Sequence, residues 1–185
     1  MGIARKACVA LALLWPLGSD APAAGLNARD KADIRRAEAH LNSIRTLSAQ
    51  FIQTVSTGSF AEGRLFLRRP GLLRLDYRPP VKLQIFADGV WLVYIDTELE
   101  ELNQVPLSET PAGILVDETV RLSGAVMVTH IERASHSLRI HVVMTEEPDV
   151  STLILAFQDK PIRLNHWIVV DSQGVRTRVA LVNPA

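Results

Sequence analysis

The sequence predicts a mainly β protein of the α+β class. The expected fold is a curled antiparallel sheet, or incomplete β-barrel, of about ten or eleven strands with an N-terminal helix and a short central helical segment. From Thr46 onward, apolar and polar residues alternate along most of the chain, turn residues separate the runs at short intervals, and only one long helical pattern is present. Short connections favour antiparallel neighbours, because a parallel pair needs a crossover of about a dozen residues.

The N-terminal helix is predicted over Ala28 to Asn42. Asn27 followed by Asp30 offers a side-chain oxygen for free backbone N–H groups and an acidic residue in the first turn, which is typical of a helix start. The apolar residues recur at helical spacing on one stripe: Ile34, Ala37, Leu41 and Ile44. The charged face is interpreted as solvated, and docking of a partner on its basic residues is the alternative.

Runs with strand character follow, and turn residues set their bounds. The runs are Thr46 to Val55, Phe60 to Arg69, Leu72 to Arg78, Val81 to Ala87, Val90 to Asp96, the less regular Leu99 to Val105, Ala125 to Glu132, Ser137 to Thr145, Thr152 to Gln158, Ile162 to Asp171 and Val175 to Val182. Before the seventh run, Ser108 to Leu115 is predicted as a short helix with Pro111 in its first turn, and Asp117 to Leu122 has no clear pattern.

Two of the late strands are apolar on both faces. Leu153 to Phe157 and Trp167 to Val170 are continuous apolar runs, so the sheet is expected to bury more than one side. With few helices to cover it, such a sheet is expected to curl into a partial barrel with the helices in its mouth. A curled sheet of this size has room for a ligand cavity.

One arginine shares a face with leucines at the end of the second strand. Alternation puts Leu65, Leu67 and Arg69 on one face, immediately before the corner Pro70-Gly71. A buried arginine needs acceptors, and the carbonyl groups at a helix end would serve. The alternative is that Arg69 extends along the surface to solvent. In the next strand Leu73, Leu75 and Tyr77 share a face, as core or cavity wall, and Asp88-Gly89 is a strong hairpin signal.

The first 23 residues have the pattern of a cleaved signal peptide. Arg5 and Lys6 precede an apolar stretch that is too short for a comfortable transmembrane helix, and Ala21-Pro22-Ala23 has the small-x-small pattern of a cleavage site. Residues 24–185 are then expected to form a single domain. A permanent membrane anchor is the alternative.

Composition narrows the function classes. The only cysteine, Cys8, lies within the signal, so the mature chain is expected to have no disulfide and no cysteine metal site. Cleavage after Ala23 removes Arg5, Lys6 and Asp20 and changes the net charge from 0 to about −1, so no basic field is expected to attract nucleic acid. The chain has no G-x-S-x-G, G-x-G-x-x-G or G-K-[ST] motif, and its five histidines lack metal-ligand spacing. These patterns predict a binding protein rather than an enzyme, with no metal and no cofactor.

An ordered series of short motifs resembles the LolA-type periplasmic lipoprotein carriers of Gram-negative bacteria. The series is Phe51-x-Gln53, Gly63-x-Leu65, Arg69-Pro70-Gly71, Pro80, Asp88-Gly89 with Leu92 and Asp96, and Gln104-Val105. The resemblance covers about Ala28 to Val182. It implies an incomplete antiparallel β-barrel with a helical lid, in a monomer that resides in the periplasm. It also implies that acylated lipoproteins are taken from an inner-membrane lipoprotein-releasing ABC transporter and passed to an outer-membrane lipoprotein receptor.

The resemblance also implies roles for individual residues. Arg69 would hydrogen-bond to lid backbone and act as a latch on the closed form, which cargo must break. The residues expected to bind cargo or form the latch are Arg69, Leu65, Leu67, Leu73, Leu75, Phe51 and Trp91, and the turn and corner residues are Pro70, Gly71, Asp88 and Gly89. Two alternatives remain at this point: a regulatory module that senses lipid or lipoprotein on the same fold, and a secreted lipid-modifying enzyme.

Overall fold

The computed structural model describes residues 25–110 and 113–185, and it confirms the mainly β fold. The predicted signal peptide and Pro111 lie outside the described residues. The strands are β1 Thr46–Val55, β2 Phe60–Arg68, β3 Leu72–Tyr77, β4 Leu83–Asp88, β5 Trp91–Asp96, β6 Glu101–Pro106, β7 Val126–Ala134, β8 Ser137–Met144, β9 Ser151–Gln158, β10 Arg163–Asp171 and β11 Arg176–Val182. The helices are α1 Ala28–Ser43, a 3-10 turn Leu107–Glu109, and α2 Gly113–Val116.

All eleven strands form one antiparallel sheet. Its order is β6-β5-β4-β3-β2-β1-β11-β10-β9-β8-β7, so consecutive strands are neighbours except where β1 pairs with β11. In the described part of the chain, β6 and β7 each have a partner on one side only, and the sheet therefore stays open. The 3-10 turn and α2 belong to the segment that connects these two edge strands. This confirms the incomplete barrel that was predicted from the alternating strands and from the strands that are apolar on both faces.

The predicted bounds agree with the observed ones to within two residues for α1 and every strand. The β4–β5 hairpin differs in detail, because its two-residue turn is Gly89-Val90 and Asp88 still belongs to β4. The Asp88 carboxylate accepts the backbone N–H groups of Val90 and Trp91, each at 2.8 Å, and so fixes the turn. These hydrogen bonds lower the pKa of Asp88.

Helix α1 lies against the concave face of the sheet. A capping box starts it, in which the Asn27 side chain accepts the Asp30 N–H at 3.0 Å and the Asp30 carboxylate accepts the Asn27 N–H at 2.9 Å. Ala37 and Leu41 on its apolar stripe are fully buried in the core. No helix among residues 25–110 and 113–185 combines the length and the apolar character needed to cross a membrane.

Strand β9 buries both of its faces, as its continuous apolar run predicted. Leu153, Leu155 and Phe157 belong to the core on the concave side, and Ile154 and Ala156 on the opposite face are also buried. The core on the concave side extends from β9 across the sheet to β3 and β4. The cavity described next lies within that core.

Candidate functional site

A small apolar cavity lies between the concave face of the sheet and the lid, which we define as helices α1 and α2. Its volume is about 30 Å³. A single water-sized probe needs about 10–15 Å³, so the closed cavity admits only one or two small groups. The residues that line it are Leu41, Ile44, Leu47, Leu65, Leu67, Arg69, Leu73, Leu115, Leu164 and Trp167. Arg69 is the single charged residue among these ten.

Arg69 connects the sheet to both helices of the lid. It directly follows β2, and only 8% of the residue is exposed. Its Nε and Nη2 donate to the carbonyl oxygen of Leu115 in α2 at 3.1 and 2.7 Å. Its Nη1 donates to the carbonyl oxygen of Leu41 in α1. The side chain is therefore turned into the cavity wall and does not extend to solvent.

The carbonyl groups that accept from Arg69 lie near helix ends, where that of Leu41 also accepts the Ile44 N–H at 3.2 Å. The last carbonyl groups of a helix have no partner within the helix, and a four-residue helix such as α2 leaves nearly all of its carbonyl groups free. Two backbone hydrogen bonds also join the Arg69 corner to the segment after α1 and to the end of α2. The Arg69 N–H donates to the Arg45 carbonyl at 2.9 Å, and the Gly71 N–H donates to the Val116 carbonyl at 2.7 Å.

The pKa of Arg69 is affected by burial and by the nearby charges of Arg45 and Asp117. Burial lowers the pKa of the guanidinium, the positive charge of Arg45 adds to this, and Asp117 opposes it. Burial raises the pKa of Asp117, and the charge of Arg69 acts in the opposite direction. Arginine starts from so high a pKa that the group stays charged. The charge is thus held in an apolar wall by hydrogen bonds to two carbonyl groups, with the carboxylate of Asp117 as a nearby opposite charge.

The corner after Arg69 is held by a contact between two turns. Gly71 has a φ of +78°, and a Cβ on this residue would lie 2.5 Å from the Cα of Gly89. Only glycine fits that position, because any side chain would collide with backbone and adopt a disfavoured left-handed conformation. The β2–β3 corner and the β4–β5 turn are therefore stacked, which fixes the direction in which Arg69 leaves the sheet.

A network of ion pairs holds the N-terminal half of α1. Arg133 of β7 donates to Asp30 at 2.6 Å and to Asp33 at 2.8 Å. Arg36 joins Asp33, at 2.8 Å, and Asp159 in the β9–β10 turn. These contacts are partly buried, and Asp33 itself is only 8% exposed. The beginning of α1 is thus bound to the β7–β10 half of the sheet by charge.

Two side chains of α1 also hold the irregular segment after α2. Asn42 donates to the Val120 carbonyl at 3.0 Å and accepts the Val120 N–H at 2.8 Å. The Glu38 carboxylate accepts the Leu122 N–H at 2.8 Å. Val120 and Leu122 are buried in the core. The segment that had no clear pattern in the sequence is therefore ordered by α1.

The structure brings only some of the predicted site residues to the cavity. Leu65, Leu67, Arg69 and Leu73 line it, whereas Leu75 and Phe51 lie in the surrounding core. Trp91 is not brought there. It is 37% exposed and shares the convex face with Val93, because Leu92 and Tyr94 of the same strand face the core.

Six lining residues were absent from the predicted site: Leu41, Ile44, Leu47, Leu115, Leu164 and Trp167. Leu115 ended the predicted short helix, and the other five belonged to the helical stripe, to an alternating strand or to a continuous apolar run. No pattern along the chain showed that they converge on one cavity. Among residues 25–110 and 113–185, no group of three or more histidine, aspartate or glutamate side chains is arranged to hold a metal ion.

Comparison with known proteins adds sequence relatives and fold neighbours. The model of a family described as "Outer membrane lipoprotein carrier protein LolA" matches residues 42–185. A Pseudomonas aeruginosa protein named "Outer-membrane lipoprotein carrier protein" is 29% identical over 83% of this chain and 77% of its own length. A protein of the same name from Chromobacterium violaceum is 35% identical over 55% of this chain and 54% of its own. The crystal structure of a LolA superfamily protein from Nitrosomonas europaea superimposes with a TM-score of 0.46 at 8% identity, over 82% of this chain and 92% of that one.

Proposed function

Because the chain belongs to the LolA family of outer-membrane lipoprotein carrier proteins, we propose that it binds the acyl chains of lipoproteins beneath its lid and carries them through the periplasm. The observation that carries this proposal is the apolar cavity beneath the lid, together with the hydrogen bonds from Arg69 to both lid helices. Acyl chains are the cargo that an apolar cavity without catalytic groups fits best. The role is binding and release, without covalent chemistry.

The physical need for such a carrier is large. Each CH₂ group removed from water contributes roughly 0.8 kcal/mol, so the acyl chains of a lipoprotein cannot remain exposed in an aqueous compartment. A cavity of about 30 Å³ is too small for any acyl chain. Cargo therefore has to displace the lid, because Leu41 and Leu115 of the lid and the capping residue Ile44 fill the space in the closed form. Opening separates the lid from the sheet and breaks the hydrogen bonds of Arg69.

A polar latch suits reversible binding. Hydrogen bonds from a charged group stabilise the closed form by a few kcal/mol at most, because burial of the charge offsets much of their strength. The closed, empty state is then stable enough to hide the apolar lining from water. It is also weak enough for acyl chains to open. When cargo leaves, the latch forms again and favours release.

Further partners follow from the same proposal. The cargo would be supplied by an inner-membrane lipoprotein-releasing ABC transporter and accepted by an outer-membrane lipoprotein receptor. The protein would act as a monomer in the periplasm, after removal of residues 1–23. The curated relatives support this proposal through the name that they share, "Outer-membrane lipoprotein carrier protein".

The test is transfer of lipoprotein out of membranes. Membranes that contain a lipoprotein-releasing transporter and a labelled lipoprotein are incubated with the purified protein and then sedimented. We expect the lipoprotein in the supernatant as a soluble complex with the carrier. If the lipoprotein stays in the pellet while an established carrier mobilises it under the same conditions, the proposal is wrong. A stable complex with an anti-sigma-type membrane protein would instead favour the regulatory function.

A further inference from the structure

Strand β10 has an irregularity where it passes beneath α1. Leu164 pairs with Phe157 and His166 pairs with Ala156, so the register shifts between them and Asn165 is left over. Such a bulge interrupts the ladder and turns backbone groups away from the neighbouring strand. The N–H of Leu164 is one of these groups, and its side chain lines the cavity.

His40 of α1 supplies the acceptor for this N–H. The distance from the Leu164 nitrogen to Nε2 of His40 is 3.0 Å. A backbone N–H can only donate, so Nε2 must be unprotonated and the proton of the neutral ring must lie on Nδ1. The ring also packs edge-on against Phe157, with 6.3 Å between ring centroids. His40 therefore binds α1 to the β9–β10 wall of the cavity.

This contact lies across the cavity from the latch. Arg69 reaches α1 from the β2–β3 corner, whereas His40 reaches β10 from α1. The two contacts hold the C-terminal half of the same helix, since Leu41 follows His40 directly. The ion pairs of Asp30 and Asp33 hold its other half.

We propose that His40 is a second positioning residue of the lid, whose neutral imidazole fastens α1 to β10 and whose protonation releases this side of the lid. The inference rests on the proposed function of the cavity. A protonated ring has donors at both nitrogens, so it would oppose the Leu164 N–H instead of accepting it. The hydrogen bond and its loss would then be controlled by one proton.

The charges around His40 strengthen its response to pH. Burial lowers the pKa of His40, and the positive charge of Arg163 at the start of β10 lowers it further. On α1 itself Arg36 lies one turn earlier, and its charge is engaged by Asp33 and by Asp159. Lys160 follows Asp159 in the β9–β10 turn. The β9 residue that packs against His40 is Phe157, which is uncharged.

The sign of the pH effect follows from the direction of this shift. A histidine in an open lid titrates near its ordinary pKa of about 6.5, whereas in the closed lid the pKa is lower. Closure is therefore favoured fully above about pH 6.5 and loses stability as the pH falls through the lowered value. Because one proton is involved, the ratio of open to closed lid rises at most about tenfold per pH unit in that interval.

The test is amide hydrogen exchange of Leu164 and of the last two turns of α1, measured by NMR without any lipoprotein. Exchange is compared at about pH 5 and about pH 8, on either side of the ordinary histidine pKa, after correction for intrinsic rates. In the unaltered protein we expect protection to be lower at the lower pH, by at most about tenfold for each pH unit between the two titrations. The assay does not depend on cargo, so its failure is separate from a failure of lipoprotein transfer.

Two substitutions at His40 give opposite expectations. In His40→Gln, the amide oxygen can accept from Leu164 and does not titrate, so protection should stay high at both pH values. In His40→Leu, no acceptor remains, so exchange should be fast at both. His136→Gln is the control, because His136 is exposed in the β7–β8 turn and its loss should preserve the pH response.

The outcome that overturns the inference is equally concrete. A His40→Gln variant with the same pH-dependent loss of protection as the unaltered protein would show that another group controls the lid. Equal protection of Leu164 at both pH values in the unaltered protein would also contradict it. If His40→Leu does not fold, the comparison of His40→Gln with the unaltered protein still decides.

Discussion

Replacing Arg69 by leucine should separate cargo binding from cargo release. The substitution removes three hydrogen bonds from the closed lid, two to the Leu115 carbonyl and one to the Leu41 carbonyl. It keeps the cavity wall apolar, because the new leucine side chain would lie beside the buried Leu65 and Leu67 on the same face of the sheet. We expect the variant to take up lipoprotein and to deliver it poorly.

The expected effect on overall stability is small. Each hydrogen bond of a charged group contributes about 1.5–3 kcal/mol, but burial of the charge offsets most of this sum. Leucine also adds roughly 1.5–3 kcal/mol from its own burial, while the Leu115 carbonyl loses its partner at a cost of about 1–3 kcal/mol. The free energy of unfolding should therefore change by less than about 2 kcal/mol.

The expected effect on release is large by comparison. A protein that must open before it binds has an apparent Kd that is raised in inverse proportion to the open fraction. If the latch contributes about 2 kcal/mol to closure, its loss raises cargo affinity by about 30-fold. Transfer to an acceptor should slow by a similar factor, since release is the step that the latch favours.

The assay is transfer of labelled lipoprotein from the loaded carrier to outer-membrane vesicles that contain the receptor. Arg68→Leu is the matched control, because Arg68 is the neighbouring residue and is exposed on the convex face. We expect normal transfer by that control and about 30-fold slower transfer by Arg69→Leu. Equal rates for Arg69→Leu and the unaltered protein, at equal loading, would refute the latch.

Three further substitutions test the architecture that places the latch. Gly71→Ala should destabilise the fold by about 2–3 kcal/mol in urea unfolding, because its Cβ would lie 2.5 Å from the Cα of Gly89 and its φ is positive. Arg133→Gln removes the charged partner of Asp30 and one of the two charged partners of Asp33. It should cost about 2 kcal/mol, against less than about 1 kcal/mol for the exposed Arg139→Gln. Burial raises the pKa of Tyr77 from 10.0 to about 12, so the neutral phenol is favoured in the folded state. Up to about 2.7 kcal/mol of stability should be lost as the pH rises from about 10 to 12, and Tyr77→Phe should flatten that part of the alkaline unfolding profile.

Local patterns were sufficient to predict the sheet and the direction of Arg69. Strand alternation has a period of two, so Leu65, Leu67 and Arg69 had to share a face once β2 was recognised. The capping residues Asn27 and Asp30 likewise predicted where α1 begins. The structure confirms that the Asn27 side chain accepts a backbone N–H, and it adds the reciprocal hydrogen bond to Asp30. These predictions succeeded because each rests on neighbours within a few residues of one another.

The cavity could not be predicted in the same way. Leu115 and Leu164 lie far from Arg69 in the chain, and their meeting depends on how the sheet curls and on where α2 crosses it. Trp91 is the reverse case, a residue that was predicted to bind cargo but does not line the cavity. An aromatic residue after a hairpin was expected to face cargo, but the hydrogen bonds of Asp88 fix the turn so that Leu92 faces the core and Trp91 faces away.

The closed cavity also explains how a carrier can bind strongly hydrophobic cargo and still release it. In the closed form, Leu41 and Leu115 of the lid and the capping residue Ile44 cover the same apolar wall that acyl chains would cover. Exchange of lid for cargo therefore leaves much of the buried apolar area unchanged, so net affinity is a difference between two similar burial terms. Against so small a difference, a few polar contacts worth about 1–3 kcal/mol each become decisive. The hydrogen bonds that Arg69 and His40 make at the C-terminal half of α1 are contacts of this size, and changes to either should alter release far more than they alter the fold.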